Sequence, residues 1–166
     1  MIADLRKLIT NRHRVMCVDP GIGGTGICTW KAWRHIKRYH AEVITPPVGT
    51  WYNRFVMLVD RFEAALSDYG PDIVVIEEAS LWAGSKKSMA SAIRGDLIKL
   101  AYVIGALMST ASICSDVYLM PVREWKGQMS KATVKRRIRT ALDIDDKLPE
   151  HAADAIGIGL AIKGIL

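Results

Sequence analysis

Cysteine is scarce and poorly placed for cross-linking, with three in 166 residues, at positions 17, 28 and 114. The number is odd, each lies in an apolar stretch and no C-x-x-C pair occurs, which excludes a disulfide framework and a cysteine zinc site. Buried, reduced thiols and an intracellular compartment are expected instead. Long hydrophobic runs are also lacking. The longest nearly uncharged stretch, 100–114, is broken by Tyr102, Gly105, Ser109, Thr110 and Ser112, short of the ~20 apolar residues that cross a bilayer. No low-complexity tract, internal repeat or flexible linker divides the chain, so its length points to one globular domain. Half the residues are apolar and 24% are charged, enough to bury a core and too few charges for a disordered chain. A secretory leader is excluded because Asp4, Arg6 and Lys7 interrupt the apolar residues near the start. Ile2, Leu5, Leu8 and Ile9 are instead at helical spacing, so residues 1–14 read as an N-terminal extension with a short amphipathic helix, ahead of a domain over 15–166. A cytoplasmic location is expected, in a prokaryotic cell or a virus-infected host. The arginines of the extension leave an organelle-targeting role as the alternative.

The charge that is present is unevenly placed. Of 23 Lys and Arg, seven (Arg123, Lys126, Lys131, Lys135, Arg136, Arg137 and Arg139) fall in 123–139 with a single acid, Glu124. The rest of the chain holds 16 basic and 16 acidic residues, so the whole net charge of +6 arises in that window. Such a surface suits a polyanion, although a basic run can equally be a solvated helix face. A second acid-free patch, Lys31, Arg34, His35, Lys37 and Arg38, weighs toward nucleic acid.

Periodicity predicts the elements. Val15 to Val18 form a short, fully apolar strand ending in Asp19. Residues 25–33 and 38–44 read as two more strands joined by a basic turn, a hairpin stopped by Pro46 and Pro47. Trp51, Phe55, Leu58, Val59, Phe62, Leu66 and Tyr69 recur at helical intervals before Gly70 and Pro71. Ile73 to Ile76 make another apolar strand, ending in Glu77 and Glu78. Residues 88–110 read as a helix apolar almost all round, which needs two neighbours: the sheet and the same helix of a second copy. A strand over 117–120, a basic helix over 133–142 and a final helix over 149–163 complete the order. The fold class is therefore α/β, a mixed five-stranded sheet with an antiparallel hairpin and parallel strands, flanked by helices.

Open sheets bind ligands at the C-terminal strand ends. If the strands ending in Asp19 and Glu77 are parallel neighbours, the crossover through helix 51–69 brings both acids to one edge. Two carboxylates side by side repel, and hard oxygen donors of this kind suit Mg²⁺ or Mn²⁺. In the last helix Glu150, His151 and Asp154 can share one face near the N-terminus, where Asp154 reads either as a third acid of the site or as an ordinary helix-dipole residue. Gly21-x-Gly23-x-x-Gly26 matches the dinucleotide fingerprint, with Glu42 downstream. A helix should open there, however, whereas Thr25 to Trp30 is strand-like and Asp19 would repel a pyrophosphate. A Walker loop is excluded because Ile27, not lysine, follows Gly26.

The set Val15-x-x-Val-Asp-Pro-Gly-x-x-x-Thr-Gly, Ile76-Glu-Glu and His151-Ala-Ala-Asp-Ala, in this order and spacing, resembles the RuvC-type Holliday-junction resolvases of the RNase H-like superfamily. Trp125-Lys126-Gly and Lys131 resemble that family's basic segment, so the resemblance spans about residues 14–163. It implies an RNase H-like sheet and a divalent-metal-dependent endodeoxyribonuclease that resolves four-way (Holliday) or branched DNA junctions by paired phosphodiester hydrolysis. Asp19, Glu77, His151 and Asp154 would be both catalytic and metal-binding, with two Mg²⁺ or Mn²⁺ ions per site. Lys126, Lys131, Lys135, Arg136, Arg137 and Arg139 would contact DNA. Leu81 and Trp82 are the nearest candidates for the apolar residue that opens the junction, or else pack in the core. Symmetric cuts call for a homodimer, with helix 88–110 offering the surface. A related nuclease acting on RNA or other duplex DNA, and a non-catalytic junction-binding protein, are the alternative readings.

Overall fold

The computed structural model describes residues 1–79, 95–144 and 147–166. The central strand β1 (Val15–Asp19) is wholly buried. It pairs antiparallel with β2 (Thr25–Trp30), which pairs antiparallel with β3 (Tyr39–Ile44). On its other side β1 runs parallel to β4 (Ile73–Glu78), and β4 parallel to β5 (Asp116–Pro121), giving the order β3-β2-β1-β4-β5. This is the expected mixed sheet. The crossover between β1 and β4 passes through α2 (Trp51–Tyr69). Its N-terminus is capped by the Thr50 hydroxyl, which accepts from the Asn53 N–H, and it ends at Gly70 with φ 50°.

Because strand side chains alternate between faces, each apolar strand feeds two cores. Met16, Val18, Ile27, Val74 and Ile76 face α2 and α3 (Asp96–Ala111). Val15, Cys17, Cys28, Trp30, Ile73, Val75 and Met120 face the other side, where α5 (Lys131–Leu142) and α6 (Glu150–Ile162) lie. The same parity assigns Asp19 and Glu77 to the α6 side and Glu78 to the opposite one.

Several boundaries differ from the sequence reading. β2 stops at Trp30 rather than 33 because the chain turns under the sheet: Trp33 packs edge-on against Trp30 at 5.5 Å, and the Trp30 indole N–H donates to the Ile36 carbonyl. A one-turn helix, α4 (Val122–Trp125), follows β5 directly and has no counterpart among the expected elements. The thiol at 114 is exposed rather than buried, whereas Cys17 and Cys28 are buried as expected. The reason is that α3 ends at Ala111, its last buried residue, and the apolar composition continues into a solvent-facing turn in which Ile113 is also exposed. Within α3, Val103, Ile104, Leu107 and Ala111 are buried against the sheet, while Ile98 and Tyr102 are 61% and 63% exposed. Residues 88–94 of the expected helix lie outside the described residues, as do Leu81 and Trp82.

The amphipathic helix read at the start of the chain is α1 (Ile2–Leu8). Leu5 and Ile9 enter the same core as α6. Arg6 donates from Nη2 to the Ala161 carbonyl at 2.7 Å and from Nε to the Ile162 carbonyl at 3.0 Å, satisfying the C-terminal end of α6. Among the described residues no helix is long and apolar enough to cross a membrane.

Candidate active site

The antiparallel and parallel partners of β1 meet at Asp19. The register Val18↔Ile76 sets Asp19 level with Glu77 on the neighbouring strand, and Asp19 itself pairs with Gly26 of β2. Above them arrives the first turn of α6. A Cβ at Gly26 would collide with the backbone carbonyl of His151, and main chain cannot swing aside as a side chain can. Glycine at this position therefore lets α6 rest on β2 and brings His151 onto Asp19. Of the glycines read from the sequence, Gly26 thus serves helix docking, and the run leads into a strand, not a helix.

Asp19, Glu77, Glu150 and Asp154 are each turned to a partner. The His151 ring, through Nδ1, is 2.7 Å from Asp19 Oδ2. The Trp125 indole N–H donates to Glu77 Oε2 at 2.8 Å. Lys126 Nζ donates to Asp154 Oδ1 and Oδ2 at 3.3 and 3.4 Å, and Lys131 pairs with Glu150. Asp19, Glu77, His151 and Asp154 line one open cleft of about 300 Å³ together with Lys126, Lys131, Glu150, Glu78, Ala79, Leu100 and Val122. Glu78, last in β4, is exposed at the rim. Lys135, Arg136, Arg137 and Arg139 do not line this cleft. They lie further along α5, where Arg136 and Arg137 border a hollow with Ile165 and Leu166, and Arg139 borders one with Asp143.

The electrostatics are those of an acid cluster short of positive charge. Asp19 is only 6% exposed, and its burial raises its pKa above the ordinary carboxylate value, offset in part by His151. Glu77 is pushed up to about 8, first by burial and then by the charge of Asp19. His151 is raised by its hydrogen bond to Asp19, so the imidazolium is the favoured partner there. As the side chains stand, no three carboxylate, imidazole or thiol groups among the described residues are gathered tightly enough to hold an ion. The donor chemistry nevertheless fits a hard divalent cation. Hard oxygen donors from β1, β4 and α6 share one cleft, and burial disfavours the charged form of two of them, Asp19 and Glu77, a cost that a divalent cation would offset.

The sequence reading places Trp125 and Lys126 in a basic segment and Glu150 on the helix face shared with His151 and Asp154, and assigns neither Trp125 nor Glu150 a role in the chemistry. The signal for Trp125 is an aromatic residue directly beside Lys126, recognisable as a site residue only once α4 is known to bend the chain back over Glu77.

The family model of crossover junction endodeoxyribonuclease RuvC matches residues 15–162. Relatives bearing that name include the protein of Xanthomonas oryzae pv. oryzae, 29% identical over 162 residues, covering 89% of this chain and 85% of the relative. Another, from Mycolicibacterium vanbaalenii, is 26% identical over 157 residues, with 89% and 77% covered. Among solved structures, Thermus thermophilus RuvC in complex with Holliday junction substrate superposes with a TM-score of 0.68 at 21% identity, covering 89% of this chain and 91% of that one. The yeast mitochondrial Holliday junction resolvase superposes at 0.60 and 11% identity, covering 98% and 86%. At these identities the structures establish the shared fold. The family match runs from the first residue of β1 to the last of α6, through every element that lines the cleft, and so the chain belongs to the RuvC family of crossover junction endodeoxyribonucleases.

Proposed function

We propose that this chain resolves four-way DNA junctions by divalent-metal-dependent phosphodiester hydrolysis, with Asp19, Glu77, His151 and Asp154 as the metal-holding and catalytic set. The observation that carries this reading is the presence of all four side chains on one cleft whose rim bears Lys126 and Lys131. Two Mg²⁺ or Mn²⁺ ions per site are the expected complement, supplying charge neutralisation and Lewis acidity for an in-line displacement when bound. Asp19 lies between the two sides of the cluster: Glu77 provides one, Asp154 with His151 the other. His151 lies against Asp19 and Lys126 against Asp154. Lys126 and Lys131 are nearest to where a scissile phosphate must sit, and the product is a nick with a 5′-phosphate. Lys135, Arg136, Arg137 and Arg139 neutralise flanking phosphates along α5 and fix the position of the duplex without reading its sequence. A cytoplasmic homodimer fits the need for two symmetric cuts, with the exposed Ile98 and Tyr102 of α3 as part of the joining surface.

Incubating a labelled four-way junction with the protein, with and without Mn²⁺, tests the reading directly. Paired nicks only with the ion are expected. Cleavage of RNA or of plain duplex in preference to the junction moves the activity to another substrate, and tight junction binding with no cleavage makes the chain a binding protein. Charge removal on α5 gives a second measurement. The triple variant Arg136→Gln, Arg137→Gln, Arg139→Gln is expected to weaken junction binding alike for all sequences. It should also flatten the log Kd against log salt plot by about 0.9 for each phosphate that is no longer neutralised. An unchanged slope removes α5 from the interface.

A further inference from the structure

Trp125 is 3% exposed and joins two elements that carry different acids of the cleft. Its indole N–H donates to Glu77 Oε2 on β4 at 2.8 Å. Its ring lies close enough to α6 that a Cβ at Gly157 would approach within 2.6 Å of Cζ3. Gly157 is one helical turn beyond Asp154, on the same side of α6. The next residue, Lys126, reaches Asp154 itself and stands 5.1 Å from the centre of the Trp125 ring. One short turn after β5 thus touches both walls of the cleft.

We propose that Trp125 is a positioning residue for the acid cluster: its N–H restrains one oxygen of Glu77, and its ring sets the distance of α6, and with it Asp154, from β4. This role rests on the reading of the cleft as a divalent-cation site. Two features separate it from simple packing. A buried indole needs an acceptor for its single donor, and of the acceptors at this edge of the sheet it uses a carboxylate of the site. The bond is made to Oε2, which anchors that oxygen and limits the rotamers open to Glu77. Glu77 would otherwise sample several rotamers, and a cation would have to immobilise it at an entropic cost. Partners that orient ligating side chains in this way typically change metal affinity by roughly 10–100-fold when removed.

The test compares the full-length protein with Trp125→Phe, which keeps an aromatic ring against Gly157 and removes the donor. Binding of Mn²⁺ is followed by the loss of the free-ion electron paramagnetic resonance signal. The expected result is a Kd about 10-fold or more weaker in the variant, with the cleavage rate at saturating Mn²⁺ recovering to within a few-fold of the original. Equal Mn²⁺ affinity together with a lowered Tm would make Trp125 a packing residue only and overturn the proposal. Should the variant not fold, the original protein answers the question by itself. Its Trp125 indole proton, bonded to a carboxylate that receives the ion, should shift in the nitrogen–proton correlation spectrum on addition of Mg²⁺, and the proposal fails if no indole resonance moves. If the original protein binds no Mn²⁺ at all, the metal-site reading fails first, an outcome distinct from equal binding by the two proteins.

Discussion

Asp19→Asn is expected to lower single-turnover cleavage of a four-way junction by more than ~10³-fold while leaving junction affinity within a few-fold. The reasoning is local. Asp19 sits at the C-terminal end of the central strand, level with Glu77 and in contact with His151, so both sides of the cluster depend on its charge. Asparagine preserves shape and one acceptor oxygen but supplies no negative charge. Arg136, Arg137 and Arg139 of α5 border hollows away from the cleft, so the grip on DNA proposed for them should not depend on Asp19. Cleavage is read with saturating Mn²⁺ on a gel, and affinity by mobility shift in the presence of a chelator. Surviving cleavage would remove Asp19 from the chemistry. Binding that disappears in parallel with cleavage would mean that the substitution damages the fold or the DNA surface.

Glu77→Gln should do the reverse of most substitutions at buried polar sites and stabilise the metal-free protein at alkaline pH. In the folded chain the Glu77 carboxyl keeps its proton up to about 8, against an ordinary value of 4.5. Between those limits the folded state binds more protons than the unfolded state. The contribution of this group is therefore fully present below pH 4.5 and is lost as pH rises toward 8. Glutamine stays neutral throughout and still accepts from Trp125, so its advantage grows across that window to roughly 2–4 kcal/mol. For a chain of this size that is a rise in Tm of roughly 5–15 °C. Scanning calorimetry at about pH 5 and about pH 8.5 with chelator present should show near-equal Tm values at the lower pH and a higher Tm for the variant at the upper one. Mg²⁺ should narrow the gap by stabilising the original protein more than the variant. A variant less stable at the upper pH would mean that Glu77 is charged and well accommodated in the metal-free fold.

Much of the scaffold is legible in the sequence because the apolar strands β1 and β4 end in acids and the longer helices are marked by their apolar spacing. Ile73 to Ile76 and Val15 to Val18 can only be covered strands, and the Gly70-Pro71 stop bounds α2. The crossover rule then places Asp19 beside Glu77. What stays hidden depends on contacts between residues distant in sequence. Nothing local marks Val122 to Trp125 as a turn of helix, since four residues carry no period, and so the approach of Trp125 to Glu77 has no sequence signal of its own. The end of β2 is misjudged because threonine and tryptophan favour strands wherever they occur, whereas Trp33 is drawn inward by the face of Trp30. Cys114 is misplaced for the same kind of reason: composition reports an apolar stretch but not where its helix runs out.

The last helix is fastened at two points by main-chain atoms. One end lies against Gly26, and the carbonyls of the other are held by Arg6. A rod about 20 Å long, clamped in this way, transmits a tilt at either clamp along its whole length. The opening segment of the chain is thereby a brace for the helix that carries Asp154, and trimming it away is expected to lower Tm and weaken Mn²⁺ binding although it removes no atom of the cleft.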